Sequence, residues 1–129
     1  MAQTTTRLLA KTPEETSTLF EKAVNDKDLE GLLTLFEPNA ASSSSPTEFI
    51  HGIDAIRTSL EGLLAMTKTI RLSPTRVISA DELAEVVGDW TIDGTDPAGN
   101  ALSLSGRYVD IVRRQPDGRW LFLIDNSHL

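Results

Sequence analysis

Two runs of alternating residues near the C-terminus decide the fold. The first ends Gly106-Arg107-Tyr108-Val109-Asp110-Ile111-Val112-Arg113-Arg114. Gln115-Pro116-Asp117-Gly118 follows, then Arg119-Trp120-Leu121-Phe122-Leu123-Ile124-Asp125-Asn126. Pro and Gly stand where a tight turn needs them, so the segment reads as a β-hairpin. Working backwards, the same period of two runs to Thr67. It predicts four strands, over Thr67–Ala80, Leu83–Asp93, Ala101–Arg114 and Arg119–Ser127. Ala80-Asp81-Glu82 makes a short reversal, and Asp93 to Asn100 a longer, Gly- and Pro-containing one. Short connectors imply antiparallel neighbours.

The period changes upstream of Thr67. Thr12-Pro13-Glu14-Glu15 reads as a capping residue, Pro at the first helical position and Glu three residues after the cap. Leu19, Phe20, Ala23 and Val24 follow at helical spacing. Asn25-Asp26-Lys27 breaks this helix. Asp28 caps a second with Leu29, Leu32, Leu33 and Phe36 inward, ended by Pro38. Asn39–Pro46 is a weak strand or open loop, and Phe49-Ile50 a short strand. Gly52 precedes a third helix with Ile53, Ile56, Leu60, Leu63 and Leu64 on one face. Residues 1–11 are a flexible lead-in, and residues 12–129 form one domain. The fold class is α+β: three N-terminal helices packed on a curved antiparallel sheet.

Composition narrows the function. Among 129 residues there are 12 Lys and Arg against 19 Asp and Glu, a net charge of −7. Such a chain repels phosphate backbones and anionic lipid heads, so neither nucleic acid nor a membrane surface is an expected partner. There is no cysteine, which removes disulfides, thiolate metal sites and cysteine nucleophiles. With two histidines no metal site is expected either. No apolar run reaches the roughly 18 residues of a membrane span, and Met1–Lys11 carries no signal-peptide core, so a cytoplasmic location is expected. Neither a Gly-rich phosphate loop nor a recognisable Ser/His/Asp set is present.

The strand faces are more informative. Strict alternation sends Trp120, Phe122 and Ile124 one way and Leu121, Leu123 and Asp125 the other, so both faces of the last strand are apolar. One face meets the helices. The other needs cover, from a second copy of the chain or from the sheet bending over itself. Asp89, Asp110 and Asp125 lie inside strands, where Asp is depleted and costly to bury unpaired. On the helix side beside Leu121 and Leu123, Asp125 is a carboxylate among leucines, suited to proton transfer. Asp110 is either a functional partner or the salt-bridge partner of Arg107 or Arg113. Tyr108 is in phase with Asp110 and lines the same cavity. His51 reads as a surface residue and His128 as a frayed end.

The whole order resembles the nuclear-transport-factor-2-like superfamily, in its ketosteroid isomerase/SnoaL-like branch. The landmarks are Phe20 to Leu29, Leu35-Phe36-Glu37-Pro38-Asn39-Ala40, Gly52 to Arg57, Gly106 to Ile111 and Asp117-Gly118-Arg119-Trp120. They span residues 13 to 127. The resemblance implies a cone-shaped α+β barrel with a pocket between helices and concave sheet, often dimeric through the outer face. It also implies which chemistry carries over. The isomerase's oxyanion tyrosine falls on Phe20 and its general-base aspartate on Ser44. Phe has no donor and Ser is no base, which argues against true ketosteroid isomerase activity. The isomerase's protonated aspartate falls on Asp110. The SnoaL-type cyclases and limonene-epoxide hydrolase are similar in the last strand, where an aspartate seven residues after the turn glycine does acid/base work; here that residue is Asp125. The hydrolase's Arg-x-Asp pair is not matched, because Arg107 stands three residues before Asp110.

The expectation is therefore a cofactor-independent enzyme acting on a small hydrophobic carbonyl compound. Asp125 and Asp110 are its catalytic pair, Phe20, Asp89, Tyr108 and Leu123 line its pocket, and a homodimer forms through the outer sheet face. The alternative is a non-catalytic small-ligand-binding or dimerisation module of the same fold.

Overall fold

The computed structural model describes residues 9–128. Residues 1–8 of the expected lead-in lie outside the described residues. From Ala10 on the chain is anchored: Ala10 is buried and its carbonyl accepts the Trp120 N–H at 2.8 Å.

Helix α1 spans Glu15–Asn25 and buries Phe20, Ala23 and Val24. It begins two residues later than expected. Thr12 to Glu14 form i→i+3 turns, and the Thr12 hydroxyl donates to the Glu15 carboxylate at 3.2 Å instead of capping a backbone N–H. Helix α2, Leu29–Leu33, has the expected cap, the Gly31 N–H donating to Asp28 Oδ1 at 2.9 Å. Helix α3 spans Ile53–Met66 behind Gly52, whose φ of 89° suits glycine. Lys27, in the α1–α2 turn, donates from Nζ to the carbonyls of Leu64 and Thr67. It thereby supplies a donor to one carbonyl in the last turn of α3 and to the residue that follows the helix.

The strands are β1 Phe36–Ser43, β2 Phe49–His51, β3 Thr67–Ala80, β4 Leu83–Thr95, β5 Ala101–Arg114 and β6 Trp120–Asn126. They form one six-stranded sheet in the order β2-β1-β6-β5-β4-β3. The four expected strands make the antiparallel meander. Two expectations change at β1. Helix α2 stops at Leu33, so Phe36 opens a strand instead of ending a helix, and Pro38 sits exposed within that strand. The sheet is also not wholly antiparallel, because β1 pairs parallel with β6. Small residues give β1 little preference of its own. Its pairing with β2 on one side and β6 on the other overrides that. The helices cover the concave face of the cone, and the sheet stays open with β2 and β3 as edges. Lys68, Arg71, Pro74 and Arg76 make β3 a poor template for further pairing.

Two local devices shape the concave face. Gly88 on β4 faces Tyr108 on β5, and Trp90 on β4 faces Gly106 on β5. A Cβ on Gly88 would lie 2.5 Å from the Tyr108 ring, and one on Gly106 2.7 Å from Trp90. Each aromatic ring thus lies over a glycine, which permits a tight bend of the sheet. The second device is a bulge in β6. Val112 pairs with Phe122 and Ile111 with Ile124, leaving Leu123 as the extra residue.

The core beneath the helices is built from Val24, Leu32, Leu35, Ile56, Val86, Val112 and Phe122, all nearly inaccessible. No helix among the described residues is long and apolar enough to cross a membrane.

Candidate functional site

Between the helices and the concave face lies a cavity of about 300 Å³. Its apolar wall is Ile56, Leu60 and Leu63 from α3, Ile70 and Leu72 from β3, and Trp90 and Ile92 from β4. Phe20 and Phe36 close one end. With Phe122 they form an aromatic cluster whose ring centroids are 5.0 to 6.4 Å apart. Exposed lining residues, Ser44, Ser59, Leu104 and His128, mark the rim.

The polar end holds two carboxyl groups. Asp110 on β5 is directly opposite Asp125 on β6, and both line the cavity. The bulge at Leu123 is what brings them there. Strict alternation would have put Asp125 on the face opposite Phe122. The extra residue restores it to the helix side and turns Ile124 outward, where it is exposed.

Asp110 is 5% exposed, shares a hydrogen bond with Asp125 and accepts the Asn126 N–H at 3.2 Å. Among the described residues no cationic side chain bonds it. Burial, and then the neighbouring Asp125 carboxylate, push its pKa well above the ordinary 3.8. Asp125 is partly exposed. Burial raises its carboxyl too, while hydrogen bonds from Asp110 and from Ser42 (3.5 Å to Oδ2) and the nearby His128 work the other way. Two carboxyls so close cannot both ionise cheaply, so they titrate as a pair. Of the two, Asp110 is raised the further, being the more deeply buried. Tyr108 lies beside them, its hydroxyl bonded to Ser17 Oγ at 2.9 Å and its pKa pushed up to about 12, chiefly by burial, so it stays neutral. Among the described residues no group of three or more His, Asp or Glu is placed to hold a metal ion.

Phe20, Tyr108, Asp110 and Asp125 therefore meet in one cavity. Two expected lining residues do not. Asp89 is exposed on the outer face, 3.6 Å from Arg107, because it is one residue out of phase with Gly88 and Trp90. Leu123 is taken up by the bulge and lines no part of the cavity. Neither arginine considered for Asp110 reaches it. Arg107 pairs with Asp89, while Arg113 grips Glu37 at 2.6 and 2.8 Å and holds that carboxyl below its usual range.

Ser42, Ser43 and His128 complete the polar end beside Trp90, and the two serines and the histidine carried no local signal in the sequence. Ser42 arrives through the parallel pairing that sets it against Asp125. His128 is not frayed. Its Nδ1 lies 2.8 Å from Ser43 Oγ, the Ser127 N–H donates to the same hydroxyl, and the Trp90 indole N–H donates to the Ser127 carbonyl at 3.0 Å. His51 is on the surface, as expected.

A fold with this concave pocket and these landmarks matches the SnoaL-like domain family over residues 17–122. The chain belongs to that family. Solved structures agree on the fold. A ketosteroid isomerase-like protein from Erwinia carotovora atroseptica superposes with a TM-score of 0.78 at 13% identity, over 89% of this chain and 91% of that one. A candidate dehydratase of the nuclear-transport-factor-2-like family from Streptomyces avermitilis gives 0.75 at 18%, over 89% and 91%. A candidate aromatic ring hydroxylase from Novosphingobium aromaticivorans gives 0.74 at 19%, over 90% and 85%. At such identities the likeness is one of fold alone. No curated protein matches the sequence significantly. SnoaL-like domains thus share this cone with proteins named for different reactions, and the chemistry must be argued from the site.

Proposed function

We propose that this SnoaL-like protein is a cofactor-independent enzyme that moves a proton on a small hydrophobic carbonyl compound. Asp125 acts as the base toward a C–H beside the carbonyl, and Asp110, carrying the proton, donates a hydrogen bond to the oxygen as the enolate develops. The observation that supports this reading is the carboxyl pair at the polar end of an apolar cavity, bonded to no arginine among the described residues. A carboxyl kept neutral at neutral pH can donate where an ionised one cannot. The test is proton exchange in deuterated buffer, followed by NMR over a panel of ring ketones. The wild-type protein exchanges the proton beside the carbonyl of at least one. Asp125→Asn lowers that rate by about 10²- to 10⁴-fold. Equal rates in the variant defeat the assignment.

One observation favours a second reading, a non-catalytic ligand-binding module. Phe20 is packed into the aromatic cluster and Ser44 sits at the rim, so neither supplies a donor or base. Ligand binding with no exchange for any ketone selects it. On either reading a second copy of the chain suits the outer face, where Ile78, Leu83 and Ile124 are 53%, 42% and 43% exposed. Light scattering of Ile124→Glu, expected monomeric against a dimeric wild type, tests that.

A further inference from the structure

We propose that the cavity selects against negative charge, so that the molecule it takes is an uncharged carbonyl compound of one or two rings and the matching free acid is excluded. The choice of a carbonyl head rests on the reading above; the charge selection rests on the lining itself. Among the described residues that line the cavity there is no Lys or Arg. Nearby cations are engaged elsewhere: Arg107 with Asp89 on the outer face, Arg113 with Glu37, and Arg57 with Glu30. What remains at the polar end is the Asp110–Asp125 carboxyl pair, which can carry only negative charge, with serine hydroxyls and the neutral Tyr108 around it. His128, at the rim, is turned to Ser43 through Nδ1.

A ligand carboxylate, sulfate or phosphate would have to leave water and sit beside acidic groups, with no Lys or Arg among the described lining residues to offset either cost. A ketone or ester meets the same groups as hydrogen-bond acceptor toward the protonated carboxyl. Size sets the second limit. About 300 Å³ is at the small end of ligand cavities, and the wall of Ile, Leu and Trp side chains suits one or two fused rings.

Binding measured without turnover separates this from the catalytic reading. Trp90 lines the cavity, so its fluorescence reports occupancy. The probes are 2-acetylnaphthalene and 2-naphthoate, a neutral and an anionic molecule of like shape, titrated at pH 7.5 with Trp90→Phe as the control for signal. The ketone is expected to bind at least ten-fold more tightly than the acid. In the double variant Asp110→Asn, Asp125→Asn, which keeps shape and removes charge, the gap is expected to narrow to about three-fold or less. Naphthoate binding as tightly as the ketone overturns the proposal. So does a gap that survives in the double variant, or a ketone that does not bind at millimolar concentration. Absence of proton exchange in an otherwise charge-selective cavity would instead remove only the catalytic reading.

Discussion

Asp89 and Asp110 are the same residue type in the interiors of adjacent strands, and they have opposite fates. Asp89 points to the outer face, is exposed and lies 3.6 Å from Arg107. Asp110 points into the cone, is 5% exposed and meets another carboxyl. Both flout the depletion of Asp from strands. What separates them is phase relative to the sheet's two faces. An exposed ion pair in water adds little to stability and perturbs little. A buried carboxyl facing a second one is held away from its ordinary protonation state, and such a group has chemical uses.

Four variants break or sharpen this contrast. The largest effect falls on Asp125, the partner that Asp110 has and Asp89 lacks: the exchange rate in Asp125→Asn drops by about 10²-fold or more, while Asp89→Asn leaves it unchanged in the same assay.

Gly88→Ala attacks the geometry that separates the faces. The new methyl group would sit 2.5 Å from the Tyr108 ring and 2.6 Å from the Ser73 carbonyl, so it pushes Tyr108 off Ser17. Urea unfolding is expected to show a loss of about 1–3 kcal/mol.

Asp110→Asn works in the other direction. The unfolded chain ionises Asp110 near 3.8, whereas the folded protein holds the proton to a higher pH. Between those two values the folded state binds more protons, so this group lowers stability as pH rises through that window. Asparagine cannot ionise. The variant is therefore expected to be more stable than wild type at pH 7, by about 1.4 kcal/mol for each unit by which the carboxyl is raised, and the advantage disappears as pH falls toward 3.8. Thermal melts across pH measure it, and an advantage that grows on acidification contradicts the shared-proton pair. Glu37 has the opposite sign. Arg113 holds its carboxyl low, so its stabilisation is present at neutral pH and is lost as acid protonates it.

The smallest effect is the stability of Asp89→Asn, expected within about 0.5 kcal/mol of wild type, because the ion pair it removes lies in water.

The fold was legible where local chemistry and long-range pairing agree. Strands β3 and β5 begin and end where the alternation does, and the Gln115–Gly118 turn closes as its Pro and Gly require, Gly118 having φ of 91°. It was not legible at Phe36–Ser43. There Asn, Ala and Ser left a weak strand and an open loop equally open, and the partners that make the segment a strand lie at Phe49–His51 and Trp120–Asn126. The site divides the same way. Asp110 and Asp125 stand out because an acid inside an apolar strand is costly anywhere. Ser42, Ser43 and His128 do not, since a serine or a C-terminal histidine is ordinary in sequence and acquires a role only from what crosses beside it.

The chain by itself thus determined its three helices, its meander and three aspartates, Asp89, Asp110 and Asp125, out of place in strand interiors, because periodicity and burial cost act within a few residues. Which of those acids share a cavity was decided only in three dimensions. One extra residue at Leu123 and one parallel pairing of β1 with β6 set the phase of Asp125 and brought Ser42 to it, and a shift of one residue in a β-strand reverses the face on which a side chain lies.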